Sequence, residues 1–127
     1  MLEYERWGTN RNWFGLWVHN DSNGIDRFHF RVGLDTKDSN QTLNTNEWYL
    51  LAGVYDSINK TMSLYINGEF DSSRTHSRGF TSPSAAKLTI GVYGFEDEEN
   101  FHGLIDDVRI YDYALSKYEI ALLAEKK

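Results

Sequence analysis

The stretch EWYLLAGVYDSINKTMSLYINGEF, Glu47–Phe70, decides the fold. Its opening EWYLLAGVYD is mostly apolar, as in a strand of a sheet covered on both faces, and Trp48 reads there as a core residue. SINK supplies a tight turn. In TMSLYING, Met62, Leu64 and Ile66 alternate with Ser63 and Tyr65, which puts the apolar trio on one face of a strand. That strand ends in Asn67-Gly68, a strong hairpin signal because both residues tolerate positive φ.

The same grammar extends in both directions. Upstream, Phe14, Leu16 and Val18 alternate with Trp13, Gly15 and Trp17. HNDSNG then turns the chain, and in RFHFRVGL the residues Phe28, Phe30 and Val32 oppose His29 and Arg31. LDTKDSNQTLNTN is polar and turn-rich, which predicts a loop. Downstream, DSSRTHSRGFTSPSAA holds the only Pro and reads as irregular, KLTIGVYGF as a strand, EDEEN as an acidic loop and FHGLIDDVRIYD as the last strand. A helix follows, with Ser116 as N-cap and Glu119 three residues on, the two halves of a reciprocal capping box. Tyr118 and Leu122 are expected on its apolar side, with Ile120 and Leu123 as further candidates. Short strands, frequent turns and one short C-terminal helix predict an all-β fold, an antiparallel β-sandwich.

Two blocks in the right order carry a family likeness: Glu47–Phe70, and the later LTIG with FHGLIDDVRIYDYALSKYEI. Together they resemble the laminin-G-like jelly roll of the concanavalin A-like lectin/glucanase superfamily, over about Trp13 to Leu123. The resemblance implies two packed antiparallel sheets in jelly-roll order, with the last strand beside the N-terminal strand and the helix plugging the sandwich end. Family members usually begin with further strands, so residues 1–127 are expected to form a single domain of this kind that lacks the usual first strands. Either the chain is a fragment, or a neighbouring copy fills the vacated place. Unpaired strand edges and apolar surface invite association, so a homo-oligomer formed through an exposed sheet edge is expected.

Composition narrows the functions. At 127 residues, 40% hydrophobic and 15% aromatic, the chain suits one globular domain. A net charge of -6 with no Lys/Arg cluster argues against nucleic acid as a partner. No apolar run reaches membrane-spanning length, so no membrane insertion is expected, and zero Cys excludes disulfides and thiol chemistry. The resemblance implies an extracellular or cell-surface location, with the periplasm as the bacterial alternative.

Catalysis is not expected. Glucanases of the superfamily carry E-x-D-x-x-E on one strand, so that two carboxyls flank the scissile bond. The nearest match is Glu69, Asp71 and Arg74, and Arg cannot donate the proton that an acid would. The four His fall in no nucleophile or metal-site pattern. Binding remains. Sugars stack on aromatic platforms and hydrogen-bond to polar side chains, and alternation puts Trp13 and Trp17 on one face with His29 and Arg31 as cross-strand neighbours. These four are the candidate ligand-binding residues, against the alternative that the Trp rings simply pack. Asp106 shares a strand face with Val108 and Ile110, and Asp107 with Arg109 and Tyr111. A carboxylate among apolar neighbours needs backbone N–H groups, an Arg or a metal. The structural reading is that Asp106 accepts backbone N–H groups or pairs with an Arg. The resemblance implies calcium as the alternative and as a candidate cofactor, since some relatives hold it near the sandwich rim, with Asp106 and Asp107 as its ligands here, although Ca²⁺ wants six to eight oxygens. The expected function is a non-catalytic carbohydrate-binding (lectin) module of a larger protein. The alternative is a protein-adhesion or structural module without a sugar site, bound to a surface protein.

Overall fold

A computed structural model describes residues 2–4, 14–77, 88–93 and 99–125. Among these the strands are β1 (Leu2–Tyr4), β2 (Phe14–Asn20), β3 (Asp26–Val32), β4 (Asp35–Thr42), β5 (Leu51–Asp56), β6 (Thr61–Ile66), β7 (Glu69–Thr75), β8 (Leu88–Ile90), β9 (Val92–Tyr93) and β10 (Glu99–Asn100), and the helix is α1 (Lys117–Glu125). The strands form a five-stranded sheet in the order β4-β3-β2-β1-β8, a three-stranded sheet β5-β6-β7, and the small pair β10-β9. Neighbours pair antiparallel throughout. The fold is the expected β-sandwich.

Its core is made by two alternating strands. Phe28, Phe30 and Val32 of β3 meet Met62, Leu64 and Ile66 of β6, with Leu43 beside them and Leu16, Val18, Tyr49, Leu51 and Tyr55 packed around. The sheets pack tightly at Gly53. A Cβ there would stand 2.8 Å from Leu16 Cδ2 and 2.8 Å from Phe30 Cδ2, so the two side chains lie directly on the β5 backbone.

Local signals in the sequence are met as physics requires. Asn67 (φ 53°) and Gly68 (φ 86°) both take the left-handed region and close the β6–β7 hairpin. The Glu119 amide donates to Ser116 Oγ at 3.3 Å, and the Ser116 amide donates to Glu119 Oε2 at 2.7 Å, completing the capping box. The helix sits on the hairpin turn: a Cβ on Gly68 would come within 2.6 Å of Ala124 Cβ and 3.3 Å of Ala121 Cα.

Six expectations are corrected. Residues 35–42, expected as a loop, are strand β4, and 69–75 are strand β7 although DSSRT reads as irregular. β4 is polar on both faces and β7 carries a lone apolar residue, Phe70, so no apolar period marks either strand. The expected last strand, FHGLIDDVRIYD, is not a strand: after Phe101 donates its amide to Gly91 O at 2.8 Å, residues 102–116 run without a ladder partner among the described residues. Asp107 interrupts the pleat with φ 56°. The N-terminal strand expected beside it, β1, pairs instead with β2 and β8. Asp107 and residues 109–115 line a cavity of about 600 Å³ whose other walls include Leu16, Phe30, Gly53 and Tyr55. Trp48 is 63% exposed and not core, because the alternate residues that follow it, Tyr49 and Leu51, take the inward phase. Finally, α1 buries Ile120 and partly buries Ala121, Leu123 and Ala124, leaving Tyr118 and Leu122 outside. The docking surface is a glycine turn, so the small residues face it and the bulky i, i+4 pair does not.

Gly53→Ala should destabilise the domain by about 1–3 kcal/mol, the usual cost of forcing a methyl into a packed core. Urea unfolding at constant m-value is the measurement.

Candidate functional site

The inward phase of β3 turns His29 and Arg31 outward. Register then assembles the outer face of the five-stranded sheet. Trp17 lies opposite His29, His29 opposite Asp38, Gly15 opposite Arg31, and His19 opposite Arg27. The Trp17 and His29 rings stack at 4.2 Å between centroids with a 34° tilt, and the His19 ring meets His29 edge-on at 4.9 Å. His29 Nδ1 hydrogen-bonds Asp38 Oδ1, and His19 Nε2 lies 3.2 Å from the same oxygen. Arg31 Nε donates to Gly33 O at 2.8 Å. Trp17, His29 and Arg31 of the sequence-derived set thus share one face, and Trp13 lies outside the described residues. His19 and Asp38 are additions. His19 was legible as the next outward residue after Trp17, whereas Asp38 sits on a strand that polarity concealed.

Burial moves the His29 imidazole below its ordinary pKa, outweighing the upward pull of the Asp38 hydrogen bond and charge. Burial also acts on Asp38, upward, but the His29 hydrogen bond and charge prevail and hold its carboxyl low. An ion pair would move the two in opposite senses. Here both move down, because burial of His29 prevails: near neutral pH an uncharged imidazole donates to an ionised carboxylate. The side chains are 13% (His29), 35% (His19) and 42% (Asp38) exposed, so the group opens to solvent on one side.

Asp38 owes its position to an irregularity. Between Arg27 and His29 the β3–β4 register shifts, and residues 39–41 bulge out of the ladder. Three side chains secure them. Ser39 Oγ accepts the Phe28 amide at 3.1 Å and donates to Gln41 O at 2.6 Å. Arg27 Nη1 donates to Ser39 O at 2.9 Å and Asn40 O at 2.8 Å. Asp71, reaching over from β7 in the other sheet, accepts the Asn40 and Gln41 amides at 2.7 and 2.8 Å. The seam continues inward, where Asp35 (4% exposed) accepts the Ser77 amide at 3.0 Å and Arg74 Nη1 donates to Thr36 O at 2.8 Å. His76 Nε2 donates to Val32 O at 3.2 Å.

This architecture has known counterparts. The family pattern described as the concanavalin A-like lectin/glucanases superfamily matches residues 3–121. The chain belongs to that superfamily. It is 30% identical over 90 residues to the mouse sushi, von Willebrand factor type A, EGF and pentraxin domain-containing protein 1, a match spanning 65% of this chain and 2% of that protein. Among solved structures it is similar to residues 221–444 of an S-layer domain-containing protein from Clostridium thermocellum. That likeness has a TM-score of 0.55 and 31% identity, and covers 96% of this chain and 60% of the other.

The remaining candidate positions of this superfamily member can now be located. Asp106 and Asp107 are exposed; Asp106 Oδ1 accepts the Asp107 amide at 2.8 Å, and Arg109 Nη2 donates to both Asp107 oxygens at 3.1 and 3.2 Å. Ca²⁺ asks for six to eight oxygens. Two carboxylates, one of them engaged by a guanidinium, do not make such a site by themselves. Among the described residues, the one group of three His, Asp or Glu side chains close enough to share an ion is His19, His29 and Asp38.

Burial alone would raise the Asp71 carboxyl, but the Ser72 hydroxyl and the Gln41 and Asn40 amides outweigh it and hold it below the usual range. A carboxyl whose pKa is depressed by folding stabilises the fold above its unfolded value. That contribution is lost as pH falls below about 4, because the unfolded chain takes up the proton first. Asp71→Ala should therefore lose about 1.5–3 kcal/mol at neutral pH, the range for hydrogen bonds to a charged group. It should also lose less stability than the wild type between pH 5 and about 3. Urea titrations at both pH values check both statements.

Proposed function

We propose that this domain is a non-catalytic glycan-binding module of a larger extracellular or surface protein, and that sugar docks on the outer face of the five-stranded sheet around Trp17. The observation that carries the reading is the Trp17–His29 stack, a flat half-buried ring system flanked by polar groups. Sugar C–H faces stack on such rings, and Arg31, His19 and Asp38 offer donors and acceptors of both signs for hydroxyls. Membership of a superfamily whose description includes lectins supports it. So does the likeness to a part of an S-layer protein and to a small part of a long multidomain protein, since both suit a surface module. The E-x-D-x-x-E-like positions favour a binding role. Asp71 is committed to backbone amides of β4, and Arg74, standing where an acid would be needed, donates to Thr36 O and lies 3.4 Å from Asp35 Oδ1.

A glycan array should return at least one saturable ligand, and Trp17→Ala should weaken it about tenfold or more while leaving the far-ultraviolet spectrum unchanged. Unaltered affinity for every detected sugar would refute the site.

A second reading, a protein-adhesion or structural module, is favoured by a different surface. Leu104, Ile105, Val108, Ile110 and Tyr113 are exposed along one segment. Apolar exposure on this scale marks protein-binding surface, and a second copy of the chain is the partner that an open sheet edge admits most simply. Light scattering should show the mean mass rising between about 10 µM and about 1 mM, the range expected for a weak self-association. A constant monomer mass over that span removes this reading.

A further inference from the structure

We propose that His19, His29 and Asp38 form a binding site for a transition-metal dication of the Zn²⁺ class on the outer face of the sheet. This inference does not depend on glycan binding. The donor atoms, His19 Nε2, His29 Nδ1 and one Asp38 oxygen, all lie within 4.8 Å of one another and come from three successive strands of the sheet. A tetrahedral ion with ligands at 2.0–2.2 Å separates its donors by about 3.3 Å. The His19 Nε2 to Asp38 Oδ1 distance of 3.2 Å already has that length. The His29–Asp38 hydrogen bond opens to the same spacing when the carboxylate turns about its terminal bond and an ion takes the place of the shared proton. The His29 proton then resides on Nε2, leaving Nδ1 as the ligand.

Three features make the group more than a chance meeting of polar side chains. Direct cross-strand pairing holds His29 against Asp38, so two of the three ligands are fixed by the ladder. The Trp17 ring lies over His29 and restricts its rotation. The β4 bulge that follows Asp38 is tied down by Arg27, Ser39 and Asp71. Two imidazoles and one carboxylate select borderline ions such as Zn²⁺, Co²⁺ or Ni²⁺ over Ca²⁺, which prefers oxygen alone. Solvent exposure of His19 and Asp38 leaves a coordination position for water or an added ligand, the arrangement of an exchangeable site and not of a closed structural one. Arg31, on the same face two residues from His29, is a nearby cation and limits the affinity.

The test uses tag-free protein stripped of metal, with no sugar present. Zn²⁺ titrated by calorimetry should bind one to one, raise Tm by about 5 °C at saturation, and survive millimolar Ca²⁺. His19→Gln, His29→Gln and Asp38→Asn should each weaken binding by more than ~10-fold, the scale lost when even an outer partner of a ligand is removed. His102→Gln, an exposed histidine elsewhere, should not. Should a ligand variant fail to fold, imidazole nitrogen NMR of the wild type decides, since only His19 and His29 of the four histidines should shift with Zn²⁺. Absence of saturable binding up to about 100 µM, binding retained in the ligand variants, shifts at His76 or His102 instead, or displacement by Ca²⁺ would each overturn the assignment.

Discussion

Phe28, Phe30 and Val32 pack inward against Met62, Leu64 and Ile66, and that single choice of phase governs the rest of the molecule. A strand has a side-chain period of two, so burying these three fixes His29 and Arg31 on the opposite face. Antiparallel register then carries the choice to β2 and β4, putting Trp17, His19 and Asp38 beside them. Slipping β3 by one residue would exchange the two sets, burying an imidazole and a guanidinium and exposing two Phe rings. The penalty for such a slip is large, which is why the outer face has one arrangement.

The sandwich closes differently along its two sides. Through the middle, apolar side chains interlock and Gly53 lets the sheets touch. Along the β4–β7 side the contact is polar: Asp35, Ser39, Ser72 and His76 are all buried there. Each has a use that an apolar residue lacks. Bulges and strand ends leave amides and carbonyls without ladder partners, and burying those unpaired would cost more than burying the side chains that satisfy them. Asp71 accepting the Asn40 and Gln41 amides is the clearest case. The polar seam is the consequence of a bulge next to a buried face.

Sequence legibility follows from how local each cause is. The Asn67-Gly68 turn and the Ser116/Glu119 box depend on residues within reach of one another along the chain, and both could be read directly. Alternation in β2, β3 and β6 is also local, and it carried Trp17, His29 and Arg31 to one face. What failed was non-local. β4 and β7 are strands because of their neighbours, since Asp35 and Ser39 face a polar seam and their sequences have no apolar period. Asp38 was hidden for that reason. The run Leu104 to Ile110 alternates well enough to read as a strand, yet a strand exists only where another offers its backbone, and β1 has joined β2 and β8 instead. Trp48 and α1 show a smaller version of the same limit. Hydrophobicity shows that a residue can be buried, while the shape of the opposing surface decides which residue is. Gly68 offers a flat seat, and Ala121 and Ala124 fit it where Tyr118 and Leu122 cannot.

The outer face inherits its precision from these buried causes. Trp17, His19, His29 and Asp38 stand on three paired strands, so their spacing is set by the ladder and not by loop conformation. The weakest support is at β4, an edge strand held on its free side by side chains from the other sheet. A disturbance of Asp71 or Arg74 therefore reaches Asp38 through the backbone, while His29 and Trp17, one and two strands further in, keep their stack on each other. The face thus combines a firm aromatic half with a carboxylate half whose position depends on inter-sheet hydrogen bonds. Any ligand that engages both halves is sensing the closure of the sandwich as well as the chemistry of its surface.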